Sequence, residues 1–467
     1  MSKTVQLAVI GAGPAGYTAA FLAASKGLNI ALIDDSGLIG GTCLHKGCIP
    51  SKTLLQIAKT INAAKQAEKF GVTFSKPKID IKRINAHKND IVKKLSLGLA
   101  QLSRQRKLNF VTGTAQFLDS KNLSVEKQDG SKLFLTFEKC IIATGSTPII
   151  PSFALEKSKN IITSEQALDL ESIPKTLLIV GGGYIGLEMA QTYSSLGSKV
   201  SLWEMTGSLL PESDEDLVRP LLRTLKKEIT IKLGTAVKTL TPSGKSIKAC
   251  AEEKGKEITE RFEKVLVAAG RKPNSRGINL QKTKIQLDEK GFIQVDSTLK
   301  TAEENIYAIG DVVAGPLLAH RASAQAHTVV KNVCGESSAF TPSAIPSVVY
   351  TSPEVAFCGL TETQAQIQNK DVEISKLSWA ASGRALSLNQ TQGLTKLIFN
   401  SLTKKLVGAG IVGADAGELI AECVLAVEAG LDAKTIASSI HPHPTLSETI
   451  KECAEKFLGE CAHSLKN

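Results

Sequence analysis

Nowhere in the 467-residue sequence do apolar residues run uninterrupted for the roughly 18 to 20 positions that cross a bilayer, so no transmembrane segment is expected. The short stretch from Met1 to Gln6 leads into an apparent strand and is not recognisable as a signal peptide, so a cytoplasmic protein is expected. Dense blocks of Lys and Arg are also missing. The formal net charge of +11 is spread along the chain, which fits a solvated surface or anionic small ligands and argues against nucleic acid as a partner. The nine cysteines are odd in number and scattered, unlike a secreted disulfide framework. The single close pair has no second pair or Cys/His cluster to accompany it, so zinc is disfavoured and no metal is expected.

At this length a single hydrophobic core stops growing, and the 42% hydrophobic content is ordinary for a globular chain, so about two to four domains are expected. One internal repeat stands out. Val9-Ile10-Gly11-Ala12-Gly13-Pro14-Ala15-Gly16 reappears as Ile179-Val180-Gly181-Gly182-Gly183-Tyr184-Ile185-Gly186. Each copy opens with an apolar run (6–10, 176–180), passes through an Ala- and Leu-rich helical stretch and returns to a second run (30–33, 200–203). That pattern predicts strand, helix, strand twice over. Further strands are predicted at 134–142 and 262–268, each ending in a glycine-bearing turn (143–146, 269–274). This order inserts the second unit within the first. From about residue 343, strands at 395–399 and 407–412 and helices at 416–429 and 449–457 predict an α+β C-terminal domain. The fold class is α/β: two Rossmann-like dinucleotide-binding units, one inside the other, then that domain.

A lone Gly-x-Gly-x-x-Gly says little, because glycines also mark ordinary turns. Here both copies follow a predicted strand, and each has an acid 23 positions after its first glycine, Asp34 and Glu204. Gly11 and Gly181 permit the tight turn, Gly13 and Gly183 let a diphosphate approach the backbone, and Gly16 and Gly186 let helix pack on strand. The helix start then offers free N–H groups and a partial positive charge to the diphosphate. Both acids suit ribose hydroxyls. Glu204 also repels a 2′-phosphate, and Met205-Thr206-Gly207 supplies no arginine to hold one, so NAD is favoured over NADP.

Directly after the first acid stands Gly40-Gly41-Thr42-Cys43-Leu44-His45-Lys46-Gly47-Cys48-Ile49-Pro50-Ser51-Lys52. A disulfide closes such a loop if the Cα atoms come within about 7 Å; a pair of reduced thiols is the alternative. A helix is predicted from this segment through 51–64, with the thiols in its first turn, where the dipole favours a thiolate. A thiolate is both the nucleophile of disulfide exchange and an electron donor to a flavin. Near the C-terminus, His441-Pro442-His443-Pro444-Thr445-Leu446-Ser447-Glu448 offers His443 as a proton carrier and Glu448 to orient it. Taken alone, two histidines between prolines read as a surface turn.

Together these motifs resemble the pyridine nucleotide-disulfide oxidoreductase family over practically the whole chain. The resemblance is carried by 40–52, 143–146, the second fingerprint ending in Gly186-Leu187-Glu188, and Gly270-Arg271-Lys272-Pro273-Asn274. It continues in Ile309-Gly310-Asp311-Val312, Leu318-Ala319-His320-Arg321-Ala322, Ser352-Pro353-Glu354 and 443–448. It implies an FAD-binding domain (1–148), an inserted NAD-binding domain (149–271), a central domain completing the FAD site (272–342) and a C-terminal interface domain (343–467) of a homodimer. The implied enzyme oxidises dihydrolipoamide, or the dihydrolipoyl group of a carrier protein in a 2-oxo acid dehydrogenase core or glycine-cleavage system, with NAD as acceptor. Cys43 is then the interchange thiol and Cys48 the thiol beside the flavin, while His443 and Glu448 complete the site of the partner subunit. FAD contacts are implied for Thr42, Lys52, Gly113, Thr144, Gly145, Ser146, Asp311 and Ala319, with Glu188 as the ion-pair partner of Lys52; Val237 and Gly270 fall at NAD positions.

Three rivals are weaker. Glutathione-type reductases favour NADP, against Glu204. Mercuric reductases need an extra C-terminal cysteine pair, which Cys453 and Cys461 do not form. A non-catalytic subunit of a 2-oxo acid dehydrogenase complex has no need of intact Cys43, Cys48 and His443. The chain departs from the family pattern at His45-Lys46, at Ser323-Ala324-Gln325 and at Gly413-Ala414-Asp415-Ala416.

Overall fold

Strand β1 (Ser2–Ile10) shows how the first apolar run becomes a buried strand. Leu7 and Val9 enter one apolar cluster together with Ala15, Ala19 and Ala23 of helix α1 (Pro14–Ser25), whereas Ala8 and Ile10 enter a different cluster. Because alternate side chains leave a strand on opposite faces, both faces are covered and no polar side remains. Pro14 opens α1, where its missing N–H lies in a turn that has no internal acceptor. Strand β2 (Ile30–Asp34) lies parallel to β1, and Lys132–Ile142 flanks β1 on its other side.

A computed structural model describes residues 2–156 and 158–463; residues 1, 157 and 464–467, which fall in the predicted first, second and last domains, lie outside the described residues. The chain leaves the first sheet after Ile142 and re-enters it at Ile306–Ala308, parallel to Lys132–Ile142. Between these points lies a second parallel sheet, ordered Thr230–Leu233, Lys199–Glu204, Thr176–Val180, Lys264–Val267, Ile161–Thr163. The insertion expected from the sequence is borne out. Its exit and return are neighbours, since Ser146–Pro148 and Arg271–Pro273 pair antiparallel.

One predicted strand divides. Phe262 ends an antiparallel strand, Lys256–Phe262, and packs edge-on against Trp203, while the parallel strand is Lys264–Val267. Phe262, Val265 and Val267 all join one apolar cluster, so hydrophobic pattern alone does not reveal the break at Glu263.

The C-terminal domain is a five-stranded antiparallel sheet ordered Ser347–Val349, Glu354–Gly359, Leu406–Gly413, Leu394–Asn400, Val372–Ser378. Helices Ala416–Glu428, Ala433–Ser438 and Glu448–Leu458 share its core. No helix among the described residues is long and apolar enough to cross a membrane.

A buried ionic cluster fastens this sheet to the inserted unit. The Lys396 side chain is 1% exposed, and its Nζ lies 2.8 Å from Asp214, 3.2 Å from Asp216 and 2.6 Å from Glu362. Asp214 also accepts the N–H groups of Glu362 and Thr363. Burial pushes the Asp214 carboxyl up, but the Lys396 ammonium and these N–H donors outweigh it and hold the group below its ordinary value. Its stabilising contribution is therefore present above the unfolded-state value and is lost as the pH falls through the lower folded one. Lys396→Ala leaves the buried Asp214 carboxylate without its cation, while Lys376 still pairs with Asp216 and Glu362, and the expected cost is about 3–5 kcal/mol. Urea unfolding followed by circular dichroism measures it, and an unchanged midpoint would remove the cluster from the stability of the interface.

Candidate active site

The C-terminal ends of β1 and Lys132–Ile142 open onto a cavity of about 480 Å³. Gly11 turns the chain there at φ +101°, and an added Cβ would stand 2.2 Å from the Ala143 carbonyl oxygen. Only glycine admits both the conformation and the approach. At Gly16 a Cβ would stand 1.8 Å from the Gly11 carbonyl oxygen, so the third glycine makes room for the loop's own backbone. Gly13 differs: the nearest atom to an added Cβ is 4.0 Å away. The second loop repeats these relations, with 2.4 Å from Gly181 to the Ala268 oxygen, 2.0 Å from Gly186 to the Gly181 oxygen, and nothing within 4 Å of Gly183.

The two acids also behave alike. Asp34 accepts the Ala12 N–H at 2.7 Å and the Ser36 N–H at 3.0 Å. Glu204 accepts the Gly182 N–H at 2.6 Å, the Thr206 N–H at 2.7 Å and the Thr206 hydroxyl at 2.8 Å. Each acid thus braces its own glycine loop, and the residue two positions later steadies the acid. Ser36 and Thr206 escaped sequence reasoning, although their equal offsets from the two acids were there to be compared. Neither helix start has a side-chain cap, so the first-turn N–H groups of α1 and of Tyr184–Leu196 remain available to a diphosphate. These features fit FAD at the first loop and NAD at the second.

The thiols do not share one helix. Cys43 lies on α2 (Gly41–Lys46) and Cys48 opens α3 (Cys48–Gln66), with Gly47 between them. The predicted continuous helix breaks at Gly47, whose φ −146° and ψ −111° lie outside the helical region, and a Cβ added there would stand 2.9 Å from the Thr42 carbonyl oxygen. Both cysteines are free thiols lining the cavity. A hydrogen bond from Cys43 lowers the Cys48 thiol to about 7; burial opposes this, and the charge of Lys52 assists it. Cys48 is open to the cavity, yet the enclosing walls still strip part of its hydration. The same hydrogen bond, followed by burial, pushes Cys43 far up. One turn along α3, Lys52 Nζ meets both oxygens of Glu188 at 3.0 and 2.9 Å, and the Glu188 side chain is only 3% exposed.

Thr42, Thr144, Gly145, Ser146, Asp311 and Ala319 line the same cavity. Gly113 stands off it, donating its N–H to the Asp34 carbonyl at 3.0 Å. Val237 packs with Val180 and Trp203 beside the second loop, and the Gly270 carbonyl accepts the Ile149 N–H at 3.0 Å where the insertion returns. At that doorway Ser146 Oγ donates to Asp311 at 2.7 Å and accepts from Arg271 Nε at 2.8 Å. Asn274 donates its side-chain amide to the Thr144 carbonyl at 3.0 Å. Arg271, Asn274 and the cavity-lining Tyr184 were not chosen as site residues from sequence, since only the folded doorway brings them there.

His443 Nδ1 is 2.8 Å from Glu448, whose other oxygen accepts the Thr445 N–H at 2.7 Å. Burial raises the Glu448 carboxyl, but the Thr445 N–H and His443 more than offset it, leaving the group below its usual range. His443 is 80% exposed, and neither residue lines the thiol cavity of its own chain. Of the departures from the family pattern, His45 bonds the Ile39 carbonyl at 3.0 Å, Lys46 lies 3.8 Å from Glu165, Ser323 sits on helix Ala319–Val333, and Asp415 pairs with Lys59 at 3.0 Å.

A family model described as pyridine nucleotide-disulphide oxidoreductase matches residues 5–326, and its dimerisation domain matches residues 345–454. The dihydrolipoyl dehydrogenase of Buchnera aphidicola subsp. Schizaphis graminum is 46% identical, covering 97% of this chain and 96% of its own. That of Bacillus subtilis is 37% identical, covering 98% and 97%. Among solved structures, LpdA from Mycobacterium tuberculosis superposes with a TM-score of 0.90 at 25% identity, covering 97% of this chain and 100% of its own. The HOCl-induced flavoprotein disulfide reductase RclA from Escherichia coli gives 0.85 at 28% identity, covering 96% and 99%.

The thiol pair yields a direct test. Cys43→Ala removes the donor that lowers Cys48, so the pH midpoint for alkylation of Cys48 by iodoacetamide, followed by peptide mass, is expected to rise from about 7 toward the ordinary thiol value. An unmoved midpoint would mean that the two thiols act independently.

Proposed function

Because the chain belongs to the pyridine nucleotide-disulphide oxidoreductase family, we propose that it oxidises dihydrolipoyl groups and reduces NAD, acting as a homodimer in the cytoplasm. The observation that carries this reading is that Cys43 and Cys48 line one cavity together with Gly11 and Gly13 of the first dinucleotide loop. On this reading residues 1–148 and 272–342 bind FAD, 149–271 bind NAD, and 343–467 form the dimer contact. Asp34 and Glu204 hold the two adenosine riboses, while Thr42, Lys52, Ser146 and Asp311 face FAD. When bound, FAD accepts the electron pair of the reduced thiols and passes it as hydride to NAD.

The chain's own residues manage the sulfur and proton steps. In the oxidised enzyme a disulfide joins Cys43 and Cys48. His443 of the partner subunit takes a proton from one substrate thiol on Nε2, the nitrogen left free because Nδ1 is held by Glu448. The resulting thiolate attacks Cys43 Sγ, the Cys43–Cys48 bond breaks, and Cys48 leaves as a thiolate. A thiol titrating at about 7 is a good leaving group in this exchange. The second substrate thiol then attacks the substrate sulfur of the mixed disulfide, and its proton passes to Cys43 as that sulfur departs. The substrate leaves as a cyclic disulfide. Cys43 is now a thiol donating to the Cys48 thiolate, and His443 carries the other proton. The substrate arrives on a lipoyl-carrier protein of a 2-oxo acid dehydrogenase complex or glycine-cleavage system.

His443→Gln tests the proton step. Dihydrolipoamide turnover is expected to fall by about 10²-fold or more, with bound flavin and NADH-dependent dye reduction preserved; undiminished turnover removes His443 from the mechanism. Glu204→Ala tests the coenzyme assignment: the KM for NAD should rise and the gap between NAD and NADP should narrow. Steady-state kinetics with both coenzymes reads this out, and an unaltered ratio would dismiss Glu204 as the discriminator.

A further inference from the structure

Three separate parts of the chain meet at the Lys52–Glu188 pair. Lys52 comes from α3, Glu188 from the helix Tyr184–Leu196 of the inserted unit, and Tyr350 from the residue after strand Ser347–Val349 of the C-terminal sheet. The Tyr350 ring centroid lies 4.6 Å from Lys52 Nζ, and the Tyr350 N–H donates to Glu188 Oε1 at 3.2 Å. Two residues on, Ser352 donates its N–H to Gln191 at 2.7 Å and accepts the Gln191 side-chain amide at 3.2 Å. Glu188 and Gln191 are three apart on one helix and so share a face, which the segment 350–352 grips at two points. Gly417 backs the ring: a Cβ added there would lie 3.5 Å from Tyr350 Cε1.

We propose that Tyr350 is a positioning residue, whose ring and peptide N–H hold Lys52 and Glu188 so that the Lys52 charge stays directed at Cys48. The inference rests on the reading of Cys48 as the flavin-facing thiolate. Glu188 alone draws the ammonium toward its own oxygens. A π face on a second side limits where Nζ can sit, and an aromatic ring attracts a cation through its quadrupole. Lys52 is 34% exposed, so without the ring its long side chain gains rotamers and water. The charged and titratable groups facing Cys48 are Cys43 from α2, Lys52 from α3, and Glu188 and Tyr184 from the inserted helix. Of these four, Lys52 is the cation, and in the reduced enzyme the partner subunit's His443 carries a second positive charge at the same site, so a looser Lys52 weakens, without abolishing, the pull that favours the thiolate. The seating of the C-terminal domain is thereby felt at the redox pair.

The test uses the holoenzyme, anaerobic and reduced by two electrons, with the long-wavelength thiolate-to-flavin band titrated against pH. Tyr350→Leu and Tyr350→Met, which keep the peptide N–H and lose the π face, are expected to raise the midpoint by about half a unit. Tyr350→Phe, which keeps the ring, restores the midpoint of the unsubstituted enzyme. A purely structural ring would move stability and leave this midpoint in place. The proposal is overturned if the ringless variants titrate with the unsubstituted enzyme, or if Tyr350→Phe shifts as far as they do. Absence of the band from the unsubstituted enzyme at every pH overturns both this proposal and the reading beneath it.

Discussion

A carboxylate as sealed as that of Glu188 is tolerable only with a cation against it, and Lys52 meets both of its oxygens. Such a pair adds little net stability, since desolvation consumes most of the attraction. Its value is geometric. It binds α3, which begins at Cys48, to a helix that begins at the second glycine loop. Cys48 and the second glycine loop are therefore held in one register by a contact that neither unit makes alone. The Ser146, Asp311 and Arg271 network does the same at the doorway between the units.

The two glycine loops solve one steric problem twice, with the first carbonyl of the loop crowding the third glycine and the neighbouring strand crowding the first. Their surroundings differ. The first opens on a cavity that reaches the thiols, whereas the second lies against an apolar cluster containing Val180, Trp203 and Val237. Repetition of a backbone device thus leaves the chemistry to be set by neighbours that the repeat does not include.

This explains how far the sequence could be read. Local signals carried the strands, the fingerprints, the acids and the thiol pair, because spacing along the chain determines them. The insertion was legible too, since the turn at 143–146 and the one at 269–274 each follow a returning strand. Contacts between units were less so. Nothing near Tyr350 in sequence points to Lys52, which lies almost three hundred residues away. The break at Gly47 is a backbone turn that periodicity does not record, and the strand break at Glu263 falls between two apolar stretches that join the same cluster. Lys52 and Glu188 were paired through family resemblance, and their proximity became a distance only once the units were seated together.

Because the strands that carry the chain out to the insertion and back are hydrogen-bonded to each other, the host sheet experiences the entire second unit as a hairpin. The entropy of closing a loop grows only with the logarithm of its length, so the bulk of what hangs from such a hairpin hardly burdens the sheet beneath. A nucleotide-binding module is in this way joined to the host sheet through one paired exit and return, and it is seated by an apolar cluster that it shares with α3 and the C-terminal sheet. Exchange of that module for one of different coenzyme preference demands compatible contacts at its rim, and no rearrangement of the strand order below.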